Sequence, residues 1–145
     1  MEEKRIQFQI VTPEKVVCSR EVYQVTLPVA DGIVTILPDH RSYIAALKPG
    51  EVICKEKKNG KEDVSLMVAG GFVEFNQNKL VVLVDEAQRA EEIDLEKAEK
   101  ARKRAQSLKE RVVVDEVEYA KVAASLEREI AKVNTARNYL KRRGL

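Results

Sequence analysis

Residues 80–98 read LVVLVDEAQRAEEIDLEKA, and the chain changes character within them. Leu80 to Val84 is an unbroken aliphatic run, which predicts a strand buried on both faces. From about residue 88 the β-branched side chains thin out, and Ala, Glu, Lys and Arg replace them. These are strong helix formers. Asp94 stands at the junction as an N-cap, where its carboxylate can accept the orphan amide hydrogens of a first helical turn. One boundary therefore separates a β half from a helical half.

Upstream of it the period is two. Ile6, Phe8 and Ile10 alternate with polar neighbours, the pattern of a strand with one buried face. Thr12-Pro13-Glu14-Lys15 breaks that pattern as a turn, and Val22, Val25 and Leu27 continue a β-rich stretch with an irregularity near Tyr23. Asp31-Gly32 turns the chain into Ile33-Val34-Thr35-Ile36-Leu37, closed by Pro38. Lys48-Pro49-Gly50 turns again before Val52 and Cys54. Asn59-Gly60 tolerates the positive φ of a type I′ turn and predicts a hairpin returning through Val64, Leu66 and Val68. Gly70-Gly71 permits a sharp bend or a close backbone approach before Phe72-Val73-Glu74-Phe75. Gln77-Asn78 then turns the chain into Leu80. Many short strands punctuated by turns predict an antiparallel sandwich or barrel.

Downstream, Leu95, Ala98, Ala101, Ala105 and Leu108 recur at helical spacing, and Lys109 and Arg111 suit the dipole at that helix's end. Val112-Val113-Val114 mark a break, and Asp115 followed by Glu118 resembles a capping box. A second helix carries Ala123, Leu126, Ile130, Val133 and Leu140 as its stripe and ends at Arg142-Arg143-Gly144. Two helices on a short linker fold back as an antiparallel hairpin. The alanines between them bury little area at about 25 cal/mol per Å², so the hairpin is expected to be marginally stable alone. The expected architecture is β + α in two domains: an antiparallel β-sandwich at 1–87 and a two-helix hairpin at 88–145.

Composition narrows the chemistry. The net charge of +2 hides an asymmetry: residues 1–93 carry 12 Lys/Arg against 15 Asp/Glu, and residues 94–145 carry 14 against 9. A basic tail suits nucleic acid, a membrane surface or an acidic protein patch, and a solvated helix pair is the plainer account. Lys100, Arg102, Lys103 and Arg104 are interleaved with Glu96, Glu99 and Glu110, so surface pairing outweighs a nucleic-acid reading. Cys18 and Cys54 form neither a zinc pattern nor a disulfide framework and read as small buried hydrophobes in a reducing compartment. No apolar run approaches the roughly 20 residues of a membrane span. The charged start and the alternation after it exclude a secretory signal, so a protein that is soluble and cytoplasmic, or that docks on something else, is expected. His40 is the only histidine, and Gly70-Gly71 fits neither a P-loop nor a dinucleotide fingerprint. From the residues alone, a non-enzymatic protein working through protein contacts is expected.

Several segments, taken in chain order, are similar to the epsilon subunits of bacterial F-type ATP synthases. They are Val11-Thr12-Pro13-Glu14, Gly32 to His40, Ala46-Leu47-Lys48-Pro49-Gly50, Val68 to Glu74, Val81 to Asp94 and Val117-Glu118-Tyr119-Ala120. Thr35 and Asp39 stand where that family often has glycine. The resemblance implies a non-catalytic rotor subunit of the central stalk, peripheral on the cytoplasmic face of the inner membrane. It implies a sandwich that binds the gamma subunit and the membrane c-subunit ring, with Asp31, Gly32, Asp39, His40 and Arg41 in one ring-contact loop. It also implies a hairpin that extends into the alpha/beta catalytic head and slows hydrolysis through Arg128, Lys132 and Arg137. No cofactor is required. Some family members bind regulatory ATP through Ile-Asp-x-x-Arg-Ala. This chain reads Ile93-Asp94-Leu95-Glu96-Lys97-Ala98, so Lys97 replaces the planar arginine fork, with Arg128 and Lys132 as second-helix partners. The competing readings are a cytoplasmic adaptor whose hairpin binds nucleic acid or another helical protein, and an enzyme centred on His40 or Asp85.

Overall fold

The computed structural model describes residues 3–60, 63–111 and 115–144. Eight strands come first: β1 (Ile6–Val11), β2 (Val16–Val22), β3 (Gln24–Val29), β4 (Gly32–Ile36), β5 (Tyr43–Leu47), β6 (Gly50–Lys55), β7 (Asp63–Asn76) and β8 (Lys79–Arg89). A short 3-10 turn at Ala90–Glu92 leads into α1 (Leu95–Arg111) and then α2 (Glu116–Arg142). The β-sheet domain followed by a helical hairpin is the expected class. The predicted irregularity at Tyr23 is the break between β2 and β3.

The strands pair in the order β2-β1-β8-β7-β5-β3-β4, with β6 joining β3 to β7. All pairs are antiparallel except β1 with β8, which run parallel. The layers fold over a core led by Phe8, Phe75, Ile6, Ile10, Leu27, Leu66 and Leu80. Aliphatic side chains supply most of it, as an aromatic content of 5% requires. Cys18 and Cys54 are buried and free. Burial, with Cys18 nearby, pushes the Cys54 thiol up to about 12, so it is an inert hydrophobe.

β7 is the strand shared between layers. Its first half pairs with β6 and its second half with β5. The change of partner falls at Gly70-Gly71, where the sequence allowed a bend. At Gly71, φ is 148°, and a β-carbon would lie 1.9 Å from the Leu83 carbonyl oxygen.

Three local expectations are corrected. The type I′ turn is not at Asn59-Gly60, neither of which has positive φ; Gly60 N donates to Lys57 O in an ordinary turn. The connection from β6 to β7 spans residues 56–62, too long for the two-residue loop that favours that geometry. Instead Gln77 and Asn78 carry φ of 49° and 60° between the paired Asn76 and Lys79. Next, Leu80–Val84 is not buried on both faces: Leu83 is 50% exposed, because no second layer covers that side of β8. Lastly, Ile130 and Leu108 leave their predicted stripes and are exposed. On α2 the buried residues are Leu126, Ala131, Val133, Thr135 and Ala136, because one flank meets α1 and another meets the sandwich.

The helices begin as read. Asp94 accepts from Lys97 N at 3.1 Å, and Asp115 accepts from Val117 N at 3.0 Å. Their pairing is antiparallel: Arg137 late in α2 bonds Glu99 early in α1, and Lys109 late in α1 lies over the Tyr119 ring. The predicted break at Val112-Val113-Val114 lies outside the described residues. β8 continues to Arg89, beyond the reading of the sandwich as ending at 87.

Candidate functional site: two faces of the sandwich and a docked hairpin

Alternation along a strand sends every second side chain outward, and directly paired residues share a face. On the outer side of β2-β1-β8-β7-β5 this places Val16, Val11, Leu83, Phe72 and Ala46 in one row, each paired to the next. Phe72 is 63% exposed, Val16 53% and Leu83 50%. The neighbouring row, Ser19-Gln9-Val81-Glu74-Ile44, ends on Ile44, which is 73% exposed. Water-facing apolar side chains gathered across five strands mark an interaction surface. Sequence reading missed this surface, because Phe72 and Leu83 sit in runs that look like core.

The residues read as one ring-contact loop are separated. Asp31 and Gly32 form the tip of the β3–β4 hairpin beside Ile33, which is 79% exposed. Asp39, His40 and Arg41 follow the opposite end of β4. The reason is that Gly32–Ile36 is a strand, not a loop. Asp39 has a φ of 67°, in the left-handed region that favours glycine. Short Asp side chains tolerate it. The site is held by Asn78, whose amide oxygen accepts from Asp39 N at 2.6 Å, and by Lys4 Nζ at 2.7 Å from the carboxylate. Hydrogen bonds from Lys4 and Asn78 lower the Asp39 carboxyl below its ordinary range. His40 packs edge-on to Tyr43 and Phe75, and its Nδ1 lies 2.8 Å from the Arg41 carbonyl. Those neighbours give it a packing role.

Every cation singled out on α2 has a carboxylate partner in this folded state. Lys132 Nζ lies 2.9 Å from Glu86 and 3.8 Å from Glu129. Arg128 lies 3.8 Å from the same Glu86, and Arg137 pairs with Glu99. Ordinary pairing extends to Lys100 with Glu96. Met67, Ala69 and Ala131, with Ile93 against them, form a buried apolar cluster between hairpin and sandwich.

The residues read as a nucleotide site are mostly brought together. Ile93, Asp94, Lys97, Ala98 and Lys132 line one shallow cleft of about 380 Å³, with Gln88, Glu92, Ala101 and Glu129. Arg128 is not among them and lines the next cleft with Asp85 and Glu86. Three carboxylates face two ammonium groups in the candidate cleft, and Lys132 is already engaged by Glu86. A triphosphate fits such a set poorly. Among the described residues, no group of three or more His, Cys, Asp or Glu is placed to hold a metal ion. No described helix is long and apolar enough to cross a membrane.

A β-sandwich with exposed apolar side chains on one face, carrying a charged two-helix hairpin, is the architecture the chain builds. Residues 5–90 match the family described as ATP synthase, Delta/Epsilon chain, beta-sandwich domain, and residues 91–137 match its long alpha-helix domain. Over 136 residues the chain is 37% identical to the ATP synthase epsilon chain of Nitratidesulfovibrio vulgaris, covering 94% of this chain and 98% of that one. It is 40% identical over 132 residues to that of Dehalococcoides mccartyi, covering 91% and 92%. A chain in the Euglena gracilis mitochondrial ATP synthase shares the fold, with a TM-score of 0.79 at 21% identity over 93% of this chain and 82% of that one. The chain belongs to the epsilon subunits of F-type ATP synthases.

Proposed function

We propose that this chain is the central-stalk link between the gamma subunit and the membrane c-subunit ring, and that its hairpin slows ATP hydrolysis when it leaves the sandwich. The observation that carries the linking role is the row Val16-Val11-Leu83-Phe72-Ala46, in which Val16, Leu83 and Phe72 are exposed and Val11 is half-buried. An interface of that make-up fits a permanent protein partner, here gamma. The β3–β4 tip, with Ile33 exposed beside Asp31 and Gly32, is the part proposed to meet the ring. His40 and Arg41 stand at the far end of β4 and are assigned away from it. The chain then docks peripherally, at the cytoplasmic face of the membrane, without inserting.

The braking role is supported by charge. Arg128, Lys132 and Arg137 share α2: undocking from the sandwich frees Arg128 and Lys132 from Glu86, and separation of α2 from α1 frees Arg137 from Glu99, for acidic residues of the catalytic head. Regulatory ATP is the weaker part of this reading, given three carboxylates in its cleft. If millimolar ATP leaves the amide NMR signals of Ile93 to Ala98 unmoved, that part is dropped.

The test uses the full chain with gamma and the cognate catalytic head. Phe72→Glu should weaken gamma binding at least tenfold, since truncating a central aromatic anchor typically costs about 2 kcal/mol or more. Replacing Arg128, Lys132 and Arg137 together by alanine should leave gamma binding intact and raise the ATPase rate. Unchanged gamma affinity in Phe72→Glu would move the adaptor reading to first place.

A further inference from the structure

The last turns of α2 are tied to the sandwich by one carboxylate. Glu51 of β6 has a side chain only 12% exposed. Arg142 donates to it twice, from Nη2 to Oε2 at 2.6 Å and from Nη1 to Oε1 at 3.4 Å. Asn138 Nδ2 approaches Oε1 at 3.4 Å, and the Ser65 hydroxyl donates to Oε2. Ser65 is 1% exposed on β7, the strand paired with β6, so the carboxylate is positioned from within the sheet. Charge-assisted bonds to a part-buried carboxylate are the strong kind, and a forked guanidinium contact adds geometric selectivity. The second ionic tie, Glu86 with Lys132 and Arg128, is more open, with Glu86 36% exposed, and pairs of that kind contribute less. Beside the Glu86 tie lies the buried cluster of Met67, Ala69 and Ala131, with Ile93 against it.

We propose that Glu51 is the latch of the folded hairpin and Arg142 its bolt. The proposal rests on the reading of the hairpin as a moving part. Glu51, seated by Ser65, takes the place of an acidic partner surface. Arg142 cannot serve it and an outside carboxylate at once. Removal of the Arg142 side chain with α2 still docked strands a part-buried carboxylate. When it does open, the α2 cations that Glu51 and Glu86 neutralise become available together, so release is concerted. An acidic surface, or high salt, is then the opening signal.

The experiment is hydrogen exchange on the full chain, without gamma or the catalytic head, so its result stands however the ATPase test falls. Glu51→Gln and Arg142→Ala should each speed exchange of amides 128–142 about tenfold, the effect of losing a charged hydrogen bond. Strands β1 and β8 should stay protected. Raising the salt should carry the unmodified chain toward the variants. The exchanged pair, Glu51→Arg with Arg142→Glu, should recover part of the protection. Wild-type exchange in Arg142→Ala, on an exposed helix end where misfolding is not a concern, overturns the latch. So does acceleration spread equally over β1 and β8 in Glu51→Gln, which makes Glu51 a general stabiliser of the sandwich.

Discussion

A β-carbon on Gly71 would meet the Leu83 carbonyl oxygen at 1.9 Å, and the obstacle is backbone of a paired strand. At Gly70 the obstacle is Asp85 Oδ2 at 2.7 Å, the end of a side chain that can swing away. The two neighbours should therefore respond differently to alanine. Gly71→Ala has to push β7 and β8 apart and should cost about 3 kcal/mol, the upper end for overpacking. Gly70→Ala meets mainly the left-handed φ of 61° and should cost about 1–2 kcal/mol. Urea midpoints of the two variants measure the difference, and equal midpoints would contradict the close-approach account. Asp39 makes the complementary point. It occupies a φ of 67° without being glycine because Asn78 and Lys4 fix its backbone and its carboxylate.

Helix starts are set by single side chains, so they can be tested singly. Asp94 caps α1 through Lys97 N, and Asp94→Ala should cost about 1 kcal/mol. Because α1 packs mainly on α2, that loss should appear as faster amide exchange from Leu95 to Ala98, with β1 and β8 unaffected. Faster exchange in the strands would show that the hairpin and sandwich fold as one unit. Both caps were legible in the sequence, since Asp94 and Asp115 act on their own neighbours. Strand existence was legible for the same local reason: Ile6, Phe8 and Ile10 alternate and are all buried. What needed the third dimension was read less well. Leu80–Val84 looked buried on both faces, and no local signal tells Leu83 that its side of the sheet lacks a cover. Asn59-Gly60 has the composition of a type I′ turn, but the strand ends place that turn at Gln77-Asn78. Ile130 shares the spacing of Leu126 and Val133 yet faces out, because α2 divides its buried surface between α1 and the sheet.

At the scale of the molecule, the sandwich and the hairpin differ in what holds them. The sandwich encloses a continuous core of aliphatic side chains with Phe8 and Phe75 at 1% exposure. The hairpin shares with it the smaller buried cluster of Met67, Ala69, Ala131 and Ile93, and its own interior is rich in alanine. The site followed the same divide. Arg128, Lys132 and Arg137 on α2, and the Ile93–Ala98 stretch at the start of α1, could be picked out as candidates because each set is charged or patterned within one local segment. The Phe72–Leu83 face and the Glu51–Arg142 tie were not, because each joins residues far apart in sequence. This unequal build predicts two unfolding steps. Denaturant should first melt helical circular dichroism with a small slope, since the slope scales with area exposed and the seam is narrow. The buried thiols Cys18 and Cys54 should stay unreactive until a second, steeper step opens the core. Added salt should bring the first step to lower denaturant, because the ties at Glu51 and Glu86 are ionic and part exposed, while leaving the second nearly fixed. A single transition in which helix signal and thiol reactivity change together at every salt concentration would show that the hairpin is bound as firmly as the core, and a hairpin bound that firmly could not serve as a brake that small inputs release.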